Sequence, residues 1–275
     1  QFRFVWHWFG AEYISCGAGS TRNAMLAAGA VTKQSKLATV PAESSFRMLN
    51  MSQATLSFED CLRQRRSVRG YLATPVPEAT LNAVFELAQL APSNCNVQPW
   101  QTYVASGATR DHLRQRFLDG VASGRAMTPD IGFMPSLAGT HRDRQVECAQ
   151  ALYGAMGIER GDKLGRMRAT MRNFELFDAP HVCFIGMDKS FGIPMALDVG
   201  MYAQTLMLAM TAHGIGSCAQ GSMGYYPADV REAFGISDDI AILFGISFGF
   251  EDPAIAANNA RTVRAPLAEN VQFKA

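Results

Sequence analysis

Apolar residues recur at helical spacing in the segment that follows two prolines, Pro75 and Pro77. Four of them occupy positions i, i+3, i+4 and i+7, namely Leu81, Val84, Phe85 and Ala88. Polar residues fill the positions between them, so the segment predicts an amphipathic helix with one buried face. Because the residue before a proline disfavours the helical conformation, this helix should end near Ala91, just before Pro92.

Less regular patterns predict the other elements of the chain. Further helices are expected over residues 58–65, 110–119, 146–157, 161–176 and 195–212. Strands are expected where apolar residues run without helical spacing, at residues 100–105, 181–187 and 240–250. Glycine and proline punctuate residues 120–145, which we expect to form a loop. Because helices and strands mix without strict alternation, the pattern favours an α+β fold.

The predicted helix over residues 195–212 is apolar on almost every side. Its length approaches that of a membrane span, which needs about 20 apolar residues. However, Asp198, Gln204 and Thr205 interrupt the apolar run, and no basic residues flank it. We therefore expect a helix that is buried in a core or in a dimer interface, and no membrane partner.

Composition and charge exclude several classes of function. The 275 residues carry 25 Lys and Arg against 24 Asp and Glu, and 48% of them are hydrophobic, which is enough for a core. A net charge of +1 argues against a nucleic-acid partner, because proteins that bind polyanions normally carry a basic excess. The six cysteines lie far apart without metal-binding spacing. We expect free thiols in a reducing, cytoplasmic compartment, with no metal site and no disulfide scaffold.

The N-terminal part of the chain differs from the remainder. Residues 15–45 are rich in Ala, Ser, Thr and Gly and show no sustained period. A Gly-x-Gly at 17–19 has Arg22 where a dinucleotide-binding loop needs its third glycine, so that site is not expected. We expect residues 1–55 to form a poorly ordered extension, with a transit peptide as the alternative, and residues 56–275 to form the working domain.

Three segments concentrate polar side chains. Residues 65–69 place three guanidiniums and a hydroxyl within five positions, and residues 258–267 carry two more arginines. Guanidiniums bind phosphate oxygens in a bidentate manner. Residues 91–100 carry amides, whose donors and acceptors suit the edge of a heterocycle. Each segment alone is also typical of a surface turn, but together they favour one heterocyclic cofactor that bears a phosphate.

Four motifs carry a resemblance to a known family. They are RRSVRGY at 65–71, APSNCNVQPW at 91–100, CAQGSMGYYP at 218–227 and N-x-x-R-T-x-R-A-P-L at 258–267. In this order they resemble the FMN-dependent nitroreductase family over about residues 56–273, and most closely its branch of bacterial nitrobenzoate-type reductases. The resemblance implies a central, mainly antiparallel sheet flanked by helices, in an intertwined homodimer with FMN at its interface.

The resemblance also implies which residues hold the cofactor. Arg65, Arg66 and Ser67 would bind the FMN phosphate and ribityl chain. Arg69 would lie at the pyrimidine edge of the flavin, where a cation stabilises the reduced form. The late basic residues of the phosphate site would be Arg261 and Arg264. The contacts from the partner subunit to the same flavin would be Ser93, Asn94, Asn96 and Gln98.

Further residues would surround the flavin ring. The backbone of Gln220 and Gly221 would cover one flavin face. Residues 120–178 would supply much of the substrate cover, with Phe174 and Phe177 as candidates to line it, although we expect core packing for at least one of the two. Cys95, inside the flavin-contact loop, is expected to be a small filler.

The reaction implied by the resemblance is a ping-pong oxidoreduction. NADH or NADPH would give a hydride to the flavin and leave, and a small aromatic acceptor, either a nitroarene or a quinone, would then take two electrons. No catalytic side chain is expected, because the flavin performs the chemistry. Two alternatives stay open: a flavoenzyme of the same fold with another reaction, such as reductive dehalogenation or flavin fragmentation, and a flavin-binding or storage protein with little turnover.

Overall fold

The computed structural model describes residues 56–275, so the expectations for residues 1–55 lie outside the described residues. A four-stranded sheet lies at the centre of this part, formed by β1 (Gln101–Ser106), β2 (His181–Asp188), β3 (Gly216–Gln220) and β4 (Ile240–Gly249). The strand order is β1-β2-β4-β3, and each neighbouring pair is antiparallel. The predicted α+β fold with a central antiparallel sheet is confirmed.

Eight α-helices surround the sheet in the described residues. They are α1 (Phe58–Gln64), α2 (Glu78–Ala88), α3 (Gly107–Ser123), α4 (Gly139–Ala155), α5 (Lys163–Met171), α6 (Ile193–Ala212), α7 (Pro227–Phe234) and α8 (Leu267–Asn270). The predicted loop over 120–145 is wrong at both ends, because α3 continues to Ser123 and α4 begins at Gly139. Both helices are largely polar, so their sequences carry little of the periodicity that reveals a helix.

The two faces of the sheet carry separate cores. Cys183 and Ile185 of β2 point to one face, where they pack with α2 and α6. Val182 and Phe184 point to the opposite face, where they pack with α3 and α7. Because successive side chains of a strand point to opposite faces, this arrangement buries nearly every residue of β2 and explains why its sequence is apolar throughout.

Helix α6 is long and apolar enough to cross a membrane by length and composition alone. In the structure it is a core helix, since Tyr202, Leu206 and Met210 are fully buried and pack against the sheet. The continuous hydrophobicity of the segment is therefore explained on this side by burial against β2 and β4.

The other side of α6 is apolar and uncovered in the chain. Ile193, Leu197 and Met201 follow one another at every fourth position and are 80%, 66% and 40% exposed. We call these three residues the outer face of α6. Other exposed large apolar side chains in α1, in or just after α2, and near the C-terminus are Phe58, Leu62, Leu87, Leu90, Val263, Leu267, Val271 and Phe273. So much exposed apolar surface is typical of an interface.

Helix α7 contains a buried carboxylate, Asp229, which two arginines from elsewhere in the chain neutralise. Arg116 donates to Oδ1 at 2.7 Å, and Arg125 donates to both carboxylate oxygens. Burial raises the pKa of Asp229, but the hydrogen bonds from Arg125 and then from Arg116 outweigh this effect and hold the pKa below its ordinary value. The folded chain therefore prefers the charged form of this carboxyl.

We expect Asp229→Asn to lower the free energy of unfolding at pH 7 by roughly 2–3 kcal/mol, because the amide leaves two guanidiniums without their counter-charge. A carboxyl with a depressed pKa stabilises the fold above its ordinary pKa, and this contribution is lost as the pH falls below about 4. Urea unfolding should therefore show a difference that shrinks below about pH 4. The exposed Asp111→Asn on α3 is the matched control; equal losses for the two variants at pH 7 would contradict the assignment.

Candidate cofactor site

Residues 65–69 run along the free edge of β3. Ser67 forms an isolated parallel bridge with Ser217, and the backbone N–H of Val68 donates to the carbonyl of Ser217 at 3.0 Å. Because the pairing is parallel, Arg65 lies toward the start of β3 and Arg69 toward its end. At about 3.3 Å per residue, the two arginines mark ends of this edge that are roughly 13 Å apart.

Two arginines lie near enough to interact electrostatically at the first end of this edge, and neither is paired with a carboxylate. Burial lowers the pKa of the half-buried Arg65, and the nearby guanidinium of Arg264 lowers it further by repelling a second positive charge. Within residues 56–275, neither arginine forms an ion pair with Asp or Glu. Two neighbouring guanidiniums without a counter-charge suit an anion such as a phosphate.

Arg66 has a different environment from Arg65. Its guanidinium pairs with Glu251, which directly follows β4, and donates to the carbonyl oxygen of Asn258 at 3.1 Å. Both side chains of the ion pair are mostly buried. The charge of Arg66 is therefore already neutralised by the protein, so its geometry favours a structural role over the predicted phosphate contact.

Asn258 connects the beginning and the end of the candidate site. Its Oδ1 accepts the backbone N–H of Arg69 at 2.7 Å, and its Nδ2 donates to the carbonyls of Gly70 and Asp252 at 2.9 Å each. Its own carbonyl accepts a hydrogen bond from Arg261 at 2.7 Å. Asn258 is only 2% exposed. It therefore fixes the backbone at Arg69 and also holds Arg261, which is exposed, beside the segment.

The middle of the edge combines small polar groups. The thiol of Cys218 is buried, and burial raises its pKa, while Arg69, the hydroxyl of Ser67 and Arg65 oppose this rise. The buried hydroxyl of Ser217, opposite Ser67, has no hydrogen-bond partner among the described residues. Because buried hydroxyls normally have a partner, this atom is one that a bound polyhydroxylated group can satisfy.

At the far end of the edge, the side chain of Gln220 is held inside the protein. Its Oε1 accepts a hydrogen bond from Ser247 at 2.5 Å, and its Nε2 donates to the carbonyl of Asn173 at 3.1 Å. Only the backbone of Gln220 and the exposed Gly221 is left to contact a ligand. A Cβ added to Gly221 would meet no atom within 4 Å, so open space lies against this backbone.

The two phenylalanines predicted to line the substrate cover lie in different places. Phe174 packs in the core with Tyr226, at 6.2 Å between ring centroids, whereas Phe177 lines a cavity of about 320 Å³. Arg69 and Asn173 also line this cavity, which places it beside the far end of the β3 edge. Its apolar lining also includes Leu152, Met156 and Ile255. The cavity therefore supports the prediction that Phe177 lines the substrate cover, whereas Phe174 packs in the core.

The amide-rich segment forms a separate group. Ser93 precedes a short 3₁₀ turn, Asn94–Asn96, in which the side chains of Asn94, Asn96 and the following Gln98 are exposed. Cys95, inside this turn, is also exposed. No hydrogen bond joins this turn to residues 65–69 within the described chain. The resemblance implies that a second subunit brings the two groups together, and the lack of a hydrogen bond between them within these residues is consistent with that arrangement.

The model of the nitroreductase family matches residues 62–250 of the chain. The chain belongs to the nitroreductase family. Nitroreductase NfnB of Mycolicibacterium smegmatis is 38% identical over 235 residues, which cover 85% of this chain and 98% of that protein. The 4-nitrobenzoate reductase of Pseudomonas putida is 31% identical over 215 residues, which cover 78% of this chain and 94% of that protein.

Solved nitroreductase structures agree with the fold. The FMN-dependent nitroreductase NfnB from Mycobacterium smegmatis in complex with NADPH matches with a TM-score of 0.75 and 39% identity, over 79% of this chain and 97% of that one. The FMN- and NADPH-dependent nitroreductase NfnB from Sphigopyxis sp. strain HMH matches with a TM-score of 0.77 and 33% identity, over 80% of this chain and 100% of that one.

Three residues that organise this nitroreductase were given no role by the sequence. Glu251 neutralises Arg66, and Asn258 holds the backbone at Arg69. Asp198 of α6 accepts a hydrogen bond from the backbone of Asn94 at 3.0 Å. The sequence marks two of these residues as unusual without indicating their roles. Asn258 opens the last motif, and Asp198 is the one charged residue in an apolar helix. Their partners, however, lie more than 100 positions away in the chain.

Proposed function

We propose that this nitroreductase family member is an FMN-dependent NAD(P)H oxidoreductase that reduces nitroaromatics or quinones by ping-pong two-electron transfer. The observation that carries the proposal is the free edge of β3, where Arg65, influenced electrostatically by Arg264, and Arg264 itself have no carboxylate partner within residues 56–275. Roughly 10 Å along the same edge, three residues beyond Ser217, the backbone turns at Gln220 and leaves open space at Gly221. A phosphate at one end and a planar ring at the other fit this spacing.

Different residues along the edge would bind different parts of FMN. Arg65, Arg264 and the exposed Arg261 would bind the phosphate through charge-assisted hydrogen bonds. Ser67 and the unpaired hydroxyl of Ser217 would face the ribityl hydroxyls. Arg69 would place its charge at the pyrimidine edge, and the backbone at Gly221 would lie against the ring. When bound, FMN supplies acceptance and donation of a hydride.

The cavity beside Arg69 is suited to the acceptor. Its volume of about 320 Å³ and its apolar lining fit a small aromatic molecule. Phe177 contributes an aromatic surface, and Asn173, which accepts a hydrogen bond from Gln220, borders the cavity. The names of the relatives support nitroaromatic acceptors and NADPH as the donor. The chain's own role in the reaction is to bind, orient and shield these partners, without a side-chain nucleophile.

We also propose that the working enzyme is a homodimer in the cytoplasm. The outer face of α6 is exposed and apolar, and the side chains of the amide-rich turn are exposed. A two-fold dimer that buries the outer face would let each turn reach the other subunit's cofactor. The five cysteines of the described residues are free thiols, which fits a reducing compartment.

The deciding experiment is the visible spectrum of the purified protein under anaerobic conditions. A flavin band that bleaches on addition of NADPH or NADH, and returns when a nitrobenzoate or a quinone is added, would support the proposal. Bleaching without recovery on that panel would favour another reaction of the same fold, and a flavin band that neither donor bleaches would favour a storage protein. A colourless protein without affinity for FMN would overturn the proposal.

Gly221→Val gives a direct structural test of the ring position. A side chain at Gly221 meets no protein atom within 4 Å, so the variant should fold with the stability of the wild type. The added methyl groups would occupy the space proposed for the ring, and we expect FMN affinity to fall by at least about tenfold. Gly154→Val, at a second open glycine on α4, is the control. Unchanged FMN affinity in Gly221→Val would show that the flavin ring does not bind against Gly221.

A further inference from the structure

Asp198 is an unusual residue in its surroundings. It is the only charged residue among the 20 positions of α6 and is 4% exposed. No lysine or arginine forms an ion pair with it within residues 56–275. Burying a carboxylate without a cation is costly, and a hydrogen bond to the charged group recovers part of that cost. The backbone N–H of Asn94 donates to its Oδ2 at 3.0 Å.

The segment from Asn94 to Gln98 has a strained shape that needs outside support. Cys95, Asn96 and Gln98 have φ values of +48°, +57° and +50°, in the left-handed region that non-glycine residues seldom adopt. Hydrogen bonds inside the segment define its shape, since the N–H of Gln98 donates to Ser93 Oγ at 2.9 Å. They do not attach the segment to the rest of the protein. The bond from Asn94 to Asp198 does so.

Helix α6 holds this segment at both ends. Asp198 binds its beginning at Asn94, and one helical turn later Tyr202 stacks on Trp100, which follows its end, at 4.8 Å between ring centroids. Residues at i and i+4 share one face of a helix. The indole N–H of Trp100 also donates to Gln89 at 3.0 Å, so the end of the segment is held by a contact that does not involve α6. The beginning of the segment, at Asn94, depends on Asp198.

We propose that Asp198 is a positioning residue of the cofactor site, which sets the orientation of the amide side chains at 94–98 toward FMN through the backbone of Asn94. The inference rests on the proposed function, because it assumes that these amides contact FMN, in the partner subunit. Asp198 itself touches no cofactor in this assignment. It selects one arrangement of a strained turn, and the affinity for FMN and the environment of the flavin depend on that arrangement.

Two substitutions separate the charge of Asp198 from its acceptor oxygen. Asp198→Asn keeps an oxygen that can accept from Asn94 and should bind FMN within about threefold of the wild type. Asp198→Leu removes the acceptor, and we expect FMN affinity to fall roughly ten- to hundredfold, which is the range for one hydrogen bond to a charged group. Thr205→Ala, whose hydroxyl bonds only within α6 to Met201, is the control for changes to the helix.

The turn offers a second route if Asp198→Leu fails to fold. Asn94→Ala keeps the backbone N–H, whereas Asn94→Pro removes it. Proline is tolerated at the first position of a helical turn, and the extended Ser93 suits the residue before it. Both variants lose the amide side chain, so the additional loss in Asn94→Pro measures the bond to Asp198.

The measurements are FMN titration by fluorescence, the visible circular dichroism of bound flavin, its reduction potential, and thermal unfolding of the apoprotein. A positioning role predicts altered flavin dichroism and potential in Asp198→Leu and rescue of both in Asp198→Asn. If Asp198→Leu binds FMN with unchanged dichroism and potential, and only its stability falls, the positioning role is wrong while the proposed function stands. If the wild-type protein itself does not bind FMN, the proposed function fails first.

Discussion

Replacing Arg65 and Arg264 together by alanine should abolish tight FMN binding while the chain stays folded. Each charge-assisted hydrogen bond to a phosphate contributes roughly 1.5–3 kcal/mol, so the loss of both arginines should weaken FMN affinity by about 10²- to 10⁴-fold. The two guanidiniums repel each other in the free protein. The apoprotein should therefore keep or slightly gain stability. FMN titration and urea unfolding followed by circular dichroism measure the two effects.

The contrast with neighbouring arginines makes this test specific. Arg63→Ala removes an exposed arginine of α1 that pairs with Glu59, and it should leave FMN affinity unchanged. Arg66→Ala should chiefly destabilise the fold, because it leaves Glu251 without its partner. If the double variant keeps full affinity for FMN, the phosphate is bound elsewhere, and the proposed site along β3 has to be abandoned.

Leu197→Asp on the outer face of α6 should separate the proposed dimer into monomers. In a two-fold interface the substitution would bury two carboxylates, one from each subunit, and each buried charge without a partner costs several kcal/mol. We expect the dimer dissociation constant to rise by at least about 10³-fold. Because each proposed site uses the amide-rich turn of the other subunit, FMN affinity should fall together with dimerisation.

Sedimentation across a range of protein concentrations, with and without FMN, tests both parts of this expectation. Ile131→Asp changes a side chain of comparable exposure, 61% against 66% for Leu197, in the segment between α3 and α4, and it should leave the dimer intact. A monomeric Leu197→Asp that still binds FMN tightly would show that one chain completes the site. If Leu197→Asp leaves the dimer unaffected, the interface lies on another surface of the protein.

The sequence predicts best those elements whose apolar residues have a regular period or form a long run. Strands β2 and β4 and helix α2 lie close to their predicted positions. Strand β3, with the sequence GSCAQ, was not predicted, because its small residues lack the β-branched and aromatic character of strands. Helix α7 was not predicted either; it buries Asp229 and Arg231, whose burial depends on partners distant in the chain.

In the candidate site, too, local sequence motifs predict some residues but not the partners that lie far away in the chain. Arg65 and Arg264 were predicted from motifs, and in the structure the charge of Arg264 influences Arg65. Arg66 belongs to the same motif, yet it pairs with Glu251, and no local pattern distinguishes the two neighbours. The role of Asp198 depends on a turn 104 positions away. A motif indicates which residue types are present, whereas their partners are set by the tertiary structure.

The hydrogen bonds of Asn258 have a consequence for how the protein is made. They join this side chain to Arg69 and Gly70, 189 and 188 positions earlier in the chain. Contacts of such large separation form late in folding, because a long loop must close first. A growing chain can therefore bury its sheet before residues 65–69 and 258–264 meet. Because FMN would bind only after they meet, its binding would stabilise the fully folded chain over forms in which these two segments are still apart.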